Sequence, residues 1–403
     1  MSKINTAPIE IANRADQNRS FGLTAMRGWM ECPGLVPARV VVKAGDHIAH
    51  FDAGETCVKL ANDTYFVIFN LVTHLFPDGL LIVNLSVEFT NGEQCSFPER
   101  FVAVNNSSAL AQAVTEDLKA HGTPPIIARH VDSSHFPYEA GKAKAWFEIE
   151  KTSAVPLDFE PSPDMETAHR HLEHWGFCIL PERLPDELIH EFKGAVSEAI
   201  RSGELAYREG TSQRIHNAHR LAAGRKIWLY PPVMQFLKVH FRDQPCACQT
   251  LTYVNGSEQN AHQDTIHLTP YPAGFMAGVW VALEDVQPDS GELFVYPGSH
   301  KTPRLRAGQL GLEKVDQDYS SYKKFDDEIH RIVVEGGYER RTYMAKAGQI
   351  LVWHENLVHG GSVRLDKEKT RFSVVSHYFA KGSIAYYDSR GEAASLEELP
   401  SVA

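Results

Sequence analysis

The tripeptide His262-Gln263-Asp264, with His359 and Arg371 further along, carries residue types that hold a mononuclear metal and a carboxylate. Two imidazoles and one carboxylate on one face form the donor set of non-haem iron(II) oxygenases, and the opposite face stays open to cosubstrate and dioxygen. In His262-x-Asp264 the two donors stand two positions apart, so on a strand both side chains point to the same side. The second imidazole must then approach from another strand. Arginine suits a carboxylate because its planar fork makes paired hydrogen bonds. A lone His-x-Asp pair is a weak signal in a chain with 20 histidines. A structural imidazole, or a surface ion pair at Arg371, is the plain alternative.

The surrounding segments are more specific. The run Tyr253-Val254-Asn255-Gly256-Ser257-Glu258-Gln259-Asn260-Ala261 leads into the tripeptide, and Trp280-Val281-Ala282-Leu283-Glu284-Asp285-Val286 follows it. Next come Ser290-Gly291-Glu292-Leu293 and Pro297-Gly298-Ser299-His300. The far end has Gly348-Gln349-Ile350-Leu351-Val352-Trp353-His354, Leu357-Val358-His359-Gly360-Gly361-Ser362, Thr370-Arg371-Phe372-Ser373 and His377-Tyr378. In this order and spacing, residues 164–380 resemble the phytanoyl-CoA dioxygenase (PhyH-like) family of Fe(II)/2-oxoglutarate-dependent oxygenases.

The resemblance implies metal ligands His262, Asp264 and His359, and a grip on the far carboxylate of 2-oxoglutarate by Arg371. Trp280 and Gln263 match positions beside cosubstrate or metal, and Ser373 adds a hydroxyl near Arg371. Trp280 as a core aromatic of the barrel is the bland alternative. The implied cofactors are Fe(II), 2-oxoglutarate as cosubstrate, and O2, with succinate and CO2 released. Related halogenases replace the carboxylate ligand by a small residue. Asp264 is present here, which favours hydroxylation. His267, His300, His354 and His377 are expected to be structural or supporting imidazoles, with His267 on the opposite strand face from Asp264.

Composition bounds the class. The chain has 403 residues, 43% hydrophobic and 23% charged, as expected for a globular protein with room for two domains. Its net charge of −11 argues against broad nucleic-acid or anionic-membrane binding. The six cysteines are scattered, which fits neither a disulfide framework nor a zinc site. They fit a reducing cytoplasmic location. No apolar run is long enough for membrane insertion, and Met1 to Ser20 shows no signal pattern.

Along the chain, residues 1–20 read as a flexible terminus and 21–154 as a β-sandwich. Leu81, Val83, Leu85, Val87 and Phe89 alternate with Ile82, Asn84, Ser86 and Glu88, a period-two strand, and Asn91-Gly92 follows as a turn. Val40 to Phe51 reads as a hairpin around Gly45-Asp46, and Ala145 to Ile149 as a further strand. Ser108 to His121 reads as a helix. Residues 22–105 also resemble, more weakly, an Ig-like module that accompanies enzymes of polysaccharide synthesis. Trp29 is expected in the sandwich core, with a ligand-contacting aromatic as the alternative. The Pro-rich stretch 155–163 reads as a linker. Residues 164–403 form the second domain, whose helices carry apolar stripes such as Leu188, Phe192 and Val196. Residues 303–346 are a charged insertion, either a substrate wall or a solvated excursion.

The expected fold is mainly β: a double-stranded β-helix (jelly-roll) oxygenase domain with flanking helices, preceded by an Ig-like β-sandwich. The expected function is a dioxygenase that hydroxylates a small-molecule or glycan-linked substrate. Two alternatives stand beside it: a jelly-roll isomerase or lyase that uses no 2-oxoglutarate, and a non-catalytic glycan- or partner-binding protein. All candidate chemistry follows the linker, so residues 155–403, if soluble without the first domain, are expected to run the substrate-free reaction, an apolar interface between the domains being what would make the fragment aggregate. The sequence specifies neither the substrate itself nor an oligomeric state.

Overall fold

The computed structural model describes residues 4–142, 159–312 and 322–398. The expected strand at Ala145 to Ile149, residues 155–158 of the expected linker and residues 313–321 of the insertion lie outside that set.

The N-terminal region is a sandwich of two six-stranded sheets. The period-two segment forms the strand Gly79–Phe89, with Leu81, Val83, Leu85, Val87 and Phe89 facing inward. It pairs antiparallel with Pro37–Ala44 on one side and Arg100–Val104 on the other. Pro37–Ala44 and His47–Asp52 make the expected hairpin, with Gly45 supplying a positive φ of 55°. The opposing sheet centres on Leu23–Glu31 and Thr64–Val72. Its Met26, Met30, Val67 and Phe69 meet Val40, Val42, Val83 and Leu85, and this contact is the core. Trp29 is a correction. It is half-buried on the outer face opposite Phe66, because Met26, Gly28 and Met30 take the inward positions of its strand. The helix Ala109–His121 follows, capped by the Ser108 hydroxyl, which accepts from the Ala111 amide at 3.1 Å.

The described part of the N-terminus, expected to fray, is held. Asn5–Thr6 and Glu10–Ile11 pair with Leu23–Glu31, and Arg19–Ser20 pairs with Arg100–Val104. Asn13 and Arg14 are buried and donate to the Ala394 carbonyl at 2.9 and 3.0 Å. Backbone pairing fixes this polar segment, and side-chain patterns do not report backbone pairing.

The C-terminal region is built on a seven-stranded antiparallel sheet. Its order is Phe177–Ile179, Ile350–His354, Met276–Ala282, Ser373–Ala380, Pro245–Tyr253 and Ile215–His216, with Glu397–Glu398 also on Pro245–Tyr253. A smaller sheet has Leu293–Val295 between Arg341–Tyr343 and His359–Gly361. This two-sheet barrel fits a jelly roll. Strand alternation sorts its residues. Ala277, Val279, Val281, Ile350 and Val352 face an outer layer that includes Leu172, Phe192, Val196 and Phe236 from the helices. Trp280, Ala282, Leu351, Trp353 and Val375 face the barrel interior.

Two further features position the site. The helix Lys323–Glu335 of the insertion lays Phe325, Ile329 and Ile332 against Ile266, Leu305 and Val358, so it is a packed wall of the barrel. The two regions also share an apolar seam. Leu23, Val72, Val114, Leu118 and Phe136 meet Tyr271, Ile384 and Tyr386. Tyr138 donates to the Pro270 carbonyl at 2.6 Å, and His74 bonds the Gly382 carbonyl at 2.8 Å.

Candidate metal centre and cosubstrate pocket

His262 and His359 sit opposite each other across a single antiparallel bridge, with backbone N–H···O contacts of 2.9 and 3.1 Å. Each ring is fixed from behind. The His262 Nδ1–H donates to the Asn260 carbonyl at 2.8 Å, and the His359 Nδ1–H to the Leu357 carbonyl at 2.9 Å. That tautomer leaves both Nε2 lone pairs facing the barrel. The Gln259 amide donates to the His262 Nε2 at 3.0 Å.

Asp264 does not lie on a strand, contrary to the expectation. It opens a 3-10 turn, Asp264–Ile266, and its amide donates to the Glu355 carbonyl at 3.1 Å. The turn still presents the carboxylate to both rings. Asp264 Oδ1 lies 3.6 Å from His262 Nε2 and 3.8 Å from His359 Nε2. The three candidate donor atoms lie within 4.8 Å of one another, and all three residues are buried. Asp264 Oδ2 accepts the Trp353 Nε1–H at 2.7 Å and lies 3.5 Å from His377 Nε2.

Electrostatics keep the set ready for a cation. Burial by itself would raise the Asp264 carboxyl, but His359, His262 and His377 outweigh it and hold the group well below its ordinary range. Burial, opposed by Asp264, pushes the His359 imidazole down to about 4. At neutral pH the carboxylate is therefore ionised and His359 is neutral, the forms that bind metal.

The same cavity, about 780 Å³, holds Arg371 and Trp280. Arg371 is 2% exposed, and no ion pair engages it among the described residues. Its guanidinium lies 5.9 Å from the Tyr253 ring centre and 5.7 Å from that of Trp280. It donates weakly to the Ser373 hydroxyl at 3.4 Å, and its buried Nε has no partner. Burial lowers it to about 10, with Tyr253, Glu292 and Glu284 acting the other way, so it stays a cation at neutral pH. A buried cation without an ion-pair partner is costly, and this one lines the same cavity as the three donors. Trp280 lines that cavity, and its Nε1–H also lacks a partner.

Of the residues expected at the site, the structure brings together His262, Asp264, His359, Arg371, Trp280 and Ser373. Gln263 points the other way. Its amide donates to the Thr302 hydroxyl at 3.2 Å and the Pro303 carbonyl at 3.4 Å, so it braces the start of the insertion instead of facing a cosubstrate. His267 is also a correction: the turn brings it into the cavity wall, stacked on Tyr322 at 5.1 Å. His354 accepts from the Asn356 amide at 3.1 Å, and His300 bonds the Glu173 carbonyl at 3.0 Å, both structural roles. The sequence carries no local signal for the roles of Trp353 and Gln259 or for the place of His377. Only the register of separated strands sets them, and no local spacing signals it.

Residues 172–364 match the family model described as phytanoyl-CoA dioxygenase (PhyH). This segment is PhyH-like and contains His262, Asp264 and His359, while Arg371 lies just beyond it. A phytanoyl-CoA dioxygenase domain-containing protein 1 of Danio rerio is 36% identical over 77 residues, 18% of this chain and 26% of that protein. Its Mus musculus counterpart is 27% identical over 133 residues, 32% and 37% of the respective chains. The chain thus spans little more than a third, at most, of these curated relatives. Among solved structures, the non-haem α-ketoglutarate-dependent carbocyclase SnoK is 16% identical with a TM-score of 0.43, covering 55% of this chain and 87% of its own. The epimerase SnoN, in complex with Fe3+, α-ketoglutarate and nogalamycin RO, is 18% identical with a TM-score of 0.41, covering 54% and 83%.

Proposed function

We propose that this protein is an Fe(II)- and 2-oxoglutarate-dependent oxygenase that hydroxylates a small-molecule or glycan-linked substrate. The observation that carries the reading is the buried Arg371 guanidinium, which no ion pair engages among the described residues, in the same cavity as His262, Asp264 and His359. A metal site alone fits many enzymes. A metal site beside a buried cation that no described ion pair engages fits one whose cosubstrate chelates the metal at one end and carries a carboxylate at the other.

The residues present fit the group. His262 and His359 would bind iron through Nε2 and Asp264 through Oδ1, and the Gln259 amide would give up its hydrogen bond to His262. When bound, iron and 2-oxoglutarate would supply the oxidising power for O2-dependent hydroxylation, with succinate and CO2 as coproducts. The chain's own part is positional. Arg371 pairs with the far carboxylate, and the Ser373 hydroxyl lies beside it. Tyr253 and Trp280 wall the cation from water, which strengthens that pairing. Tyr322 and Phe325, at the start of the insertion helix, line the cavity and exclude solvent from one side.

Among the described residues, the N-terminal sandwich contributes no donor to this cavity. We assign it an accessory role in substrate handling, and its two-sheet packing supports an Ig-like assignment. All six cysteines are free, which supports a reducing, cytoplasmic location. No described helix is long and apolar enough to cross a membrane.

The test is a screen of small hydroxylatable molecules and glycans with Fe(II), 2-oxoglutarate and O2, read by succinate. Substrate-stimulated succinate with a product heavier by one oxygen atom supports the reading. Iron-dependent turnover of a substrate without consumption of 2-oxoglutarate contradicts it and favours the isomerase or lyase alternative.

A further inference from the structure

We propose that Trp353 is a positioning residue of the metal centre: its indole N–H holds Asp264 Oδ2 so that the carboxylate meets the metal through Oδ1 alone. The inference rests on the metal-centre reading above and concerns how that site keeps its coordination open.

A carboxylate can bind a metal through one oxygen or both. The two imidazoles and one oxygen of Asp264 fill three positions, and the remaining ones must admit a chelating cosubstrate and dioxygen. A second Asp264 oxygen on the metal would take one of them. In the structure that oxygen is already engaged, 2.7 Å from Trp353 Nε1, while Oδ1 faces both imidazoles. Indole suits the task. It donates one hydrogen bond, accepts none and cannot lose its proton in the physiological range. It therefore holds Oδ2 without competing for the metal.

The ring is itself fixed. Trp353 is 2% exposed and sits opposite Gly278 on the adjacent strand. A Cβ added at Gly278 would run into the Trp353 ring, so the neighbouring strand is cut away to seat the indole. On its other side the ring lies 4.5 Å, centre to centre, from His359. One side chain thus braces the carboxylate donor and packs on an imidazole donor. His377 Nε2, 3.5 Å from the same oxygen, is too far for a strong hydrogen bond, so the indole carries the restraint.

Trp353→Phe keeps the aromatic bulk and removes the N–H. Apo-protein of wild type and variant is titrated anaerobically with Fe(II), and in parallel with Co(II), whose visible bands report the number and arrangement of donors. The variant is expected to lose about 10–100-fold in Fe(II) affinity and to shift the Co(II) bands, with an apo melting temperature near that of wild type. A merely structural role is separated by a double-mutant cycle with Ni(II), which the two imidazoles still hold in Asp264→Ala. In that background Trp353→Phe should change Ni(II) affinity by less than about twofold, because the partner oxygen is gone. Unchanged affinity and Co(II) bands in the single variant overturn the proposal. So does an equal loss with and without Asp264. Wild-type protein that takes up none of the three metals overturns the metal centre and this inference together. Protein that binds metal but ignores 2-oxoglutarate overturns only the proposed reaction and leaves Trp353 in place.

Discussion

Two mainly antiparallel two-sheet structures stand side by side in this chain, and their interiors differ in kind. Between the N-terminal sheets lie Met26, Val40, Val42, Val67, Phe69, Val83 and Leu85, an apolar fill. The C-terminal barrel buries His262, Asp264, His359, Arg371, Ser373 and His377 among Trp280, Trp353 and Val375. The same architecture could have been filled with apolar residues at lower cost, since each buried polar or charged group must recover its desolvation from a partner. The sandwich interior serves stability. The barrel interior gives some stability up, and its departures from apolar filling coincide with the proposed site.

The sharpest break of that comparison is Asp264→Ala. It removes the carboxylate donor from the barrel and is expected to abolish 2-oxoglutarate turnover and weaken Fe(II) binding. The fold should persist, because a buried charge leaves with the side chain. Turnover assays with thermal melts check both. The converse experiment is Leu85→Ala in the sandwich, where Leu85 is buried between the sheets. Loss of its side chain is expected to destabilise by about 2–5 kcal/mol, while Fe(II) affinity per folded molecule stays unchanged. The apolar seam also predicts that the two regions melt as one cooperative transition, and calorimetry reads both outcomes. The solubility of fragment 155–403 turns on that seam, because its Tyr271, Ile384 and Tyr386 would lose their cover.

Arg371→Ala comes next. Loss of a charge-assisted pair costs roughly 1.5–3 kcal/mol, so the 2-oxoglutarate requirement should rise at least about tenfold, with Fe(II) affinity little changed. Titration of 2-oxoglutarate against succinate release measures it.

The smallest effect concerns the seam. Burial pushes the His74 imidazole down to about 4, partly offset by its bond to the Gly382 carbonyl and by Asp78. In the unfolded chain the group titrates near 6.5. Between these values the unfolded state binds the extra proton, so His74's contribution is complete above pH 6.5 and declines as pH falls toward 4. His74→Gln keeps a donor for Gly382 and should flatten the acid limb by up to about 1.4 kcal/mol per pH unit. Denaturant melts across that range decide it.

Much of this was legible in the sequence because it lies in residue identity. His262, Asp264, His359 and Arg371 are named by type and order, and the strand Gly79–Phe89 by its alternation. What was not legible depends on register and on backbone. Trp353 reaches Asp264 across 89 positions only because Ile350–His354 pairs with Met276–Ala282 at Gly278. Gln263 was placed at the site by its neighbours in sequence, but the chain turns at Asp264 and sends its amide to Thr302. Residues 4–20 looked frayed because their hold is backbone pairing and two buried polar side chains, Asn13 and Arg14.

The central claim is that one cavity holds Fe(II) at His262, Asp264 and His359 and 2-oxoglutarate at Arg371. Its most direct test is an anaerobic titration of the Fe(II)-loaded full-length protein with 2-oxoglutarate, followed by visible absorption. An α-keto acid chelated to Fe(II) gives a charge-transfer band that neither component shows alone. The account predicts a band that saturates at one equivalent in wild type, needs at least about tenfold more 2-oxoglutarate in Arg371→Ala, and is missing in a variant with His262 and His359 both replaced by alanine. Iron-loaded wild-type protein that shows no band, or a band indifferent to Arg371, contradicts it.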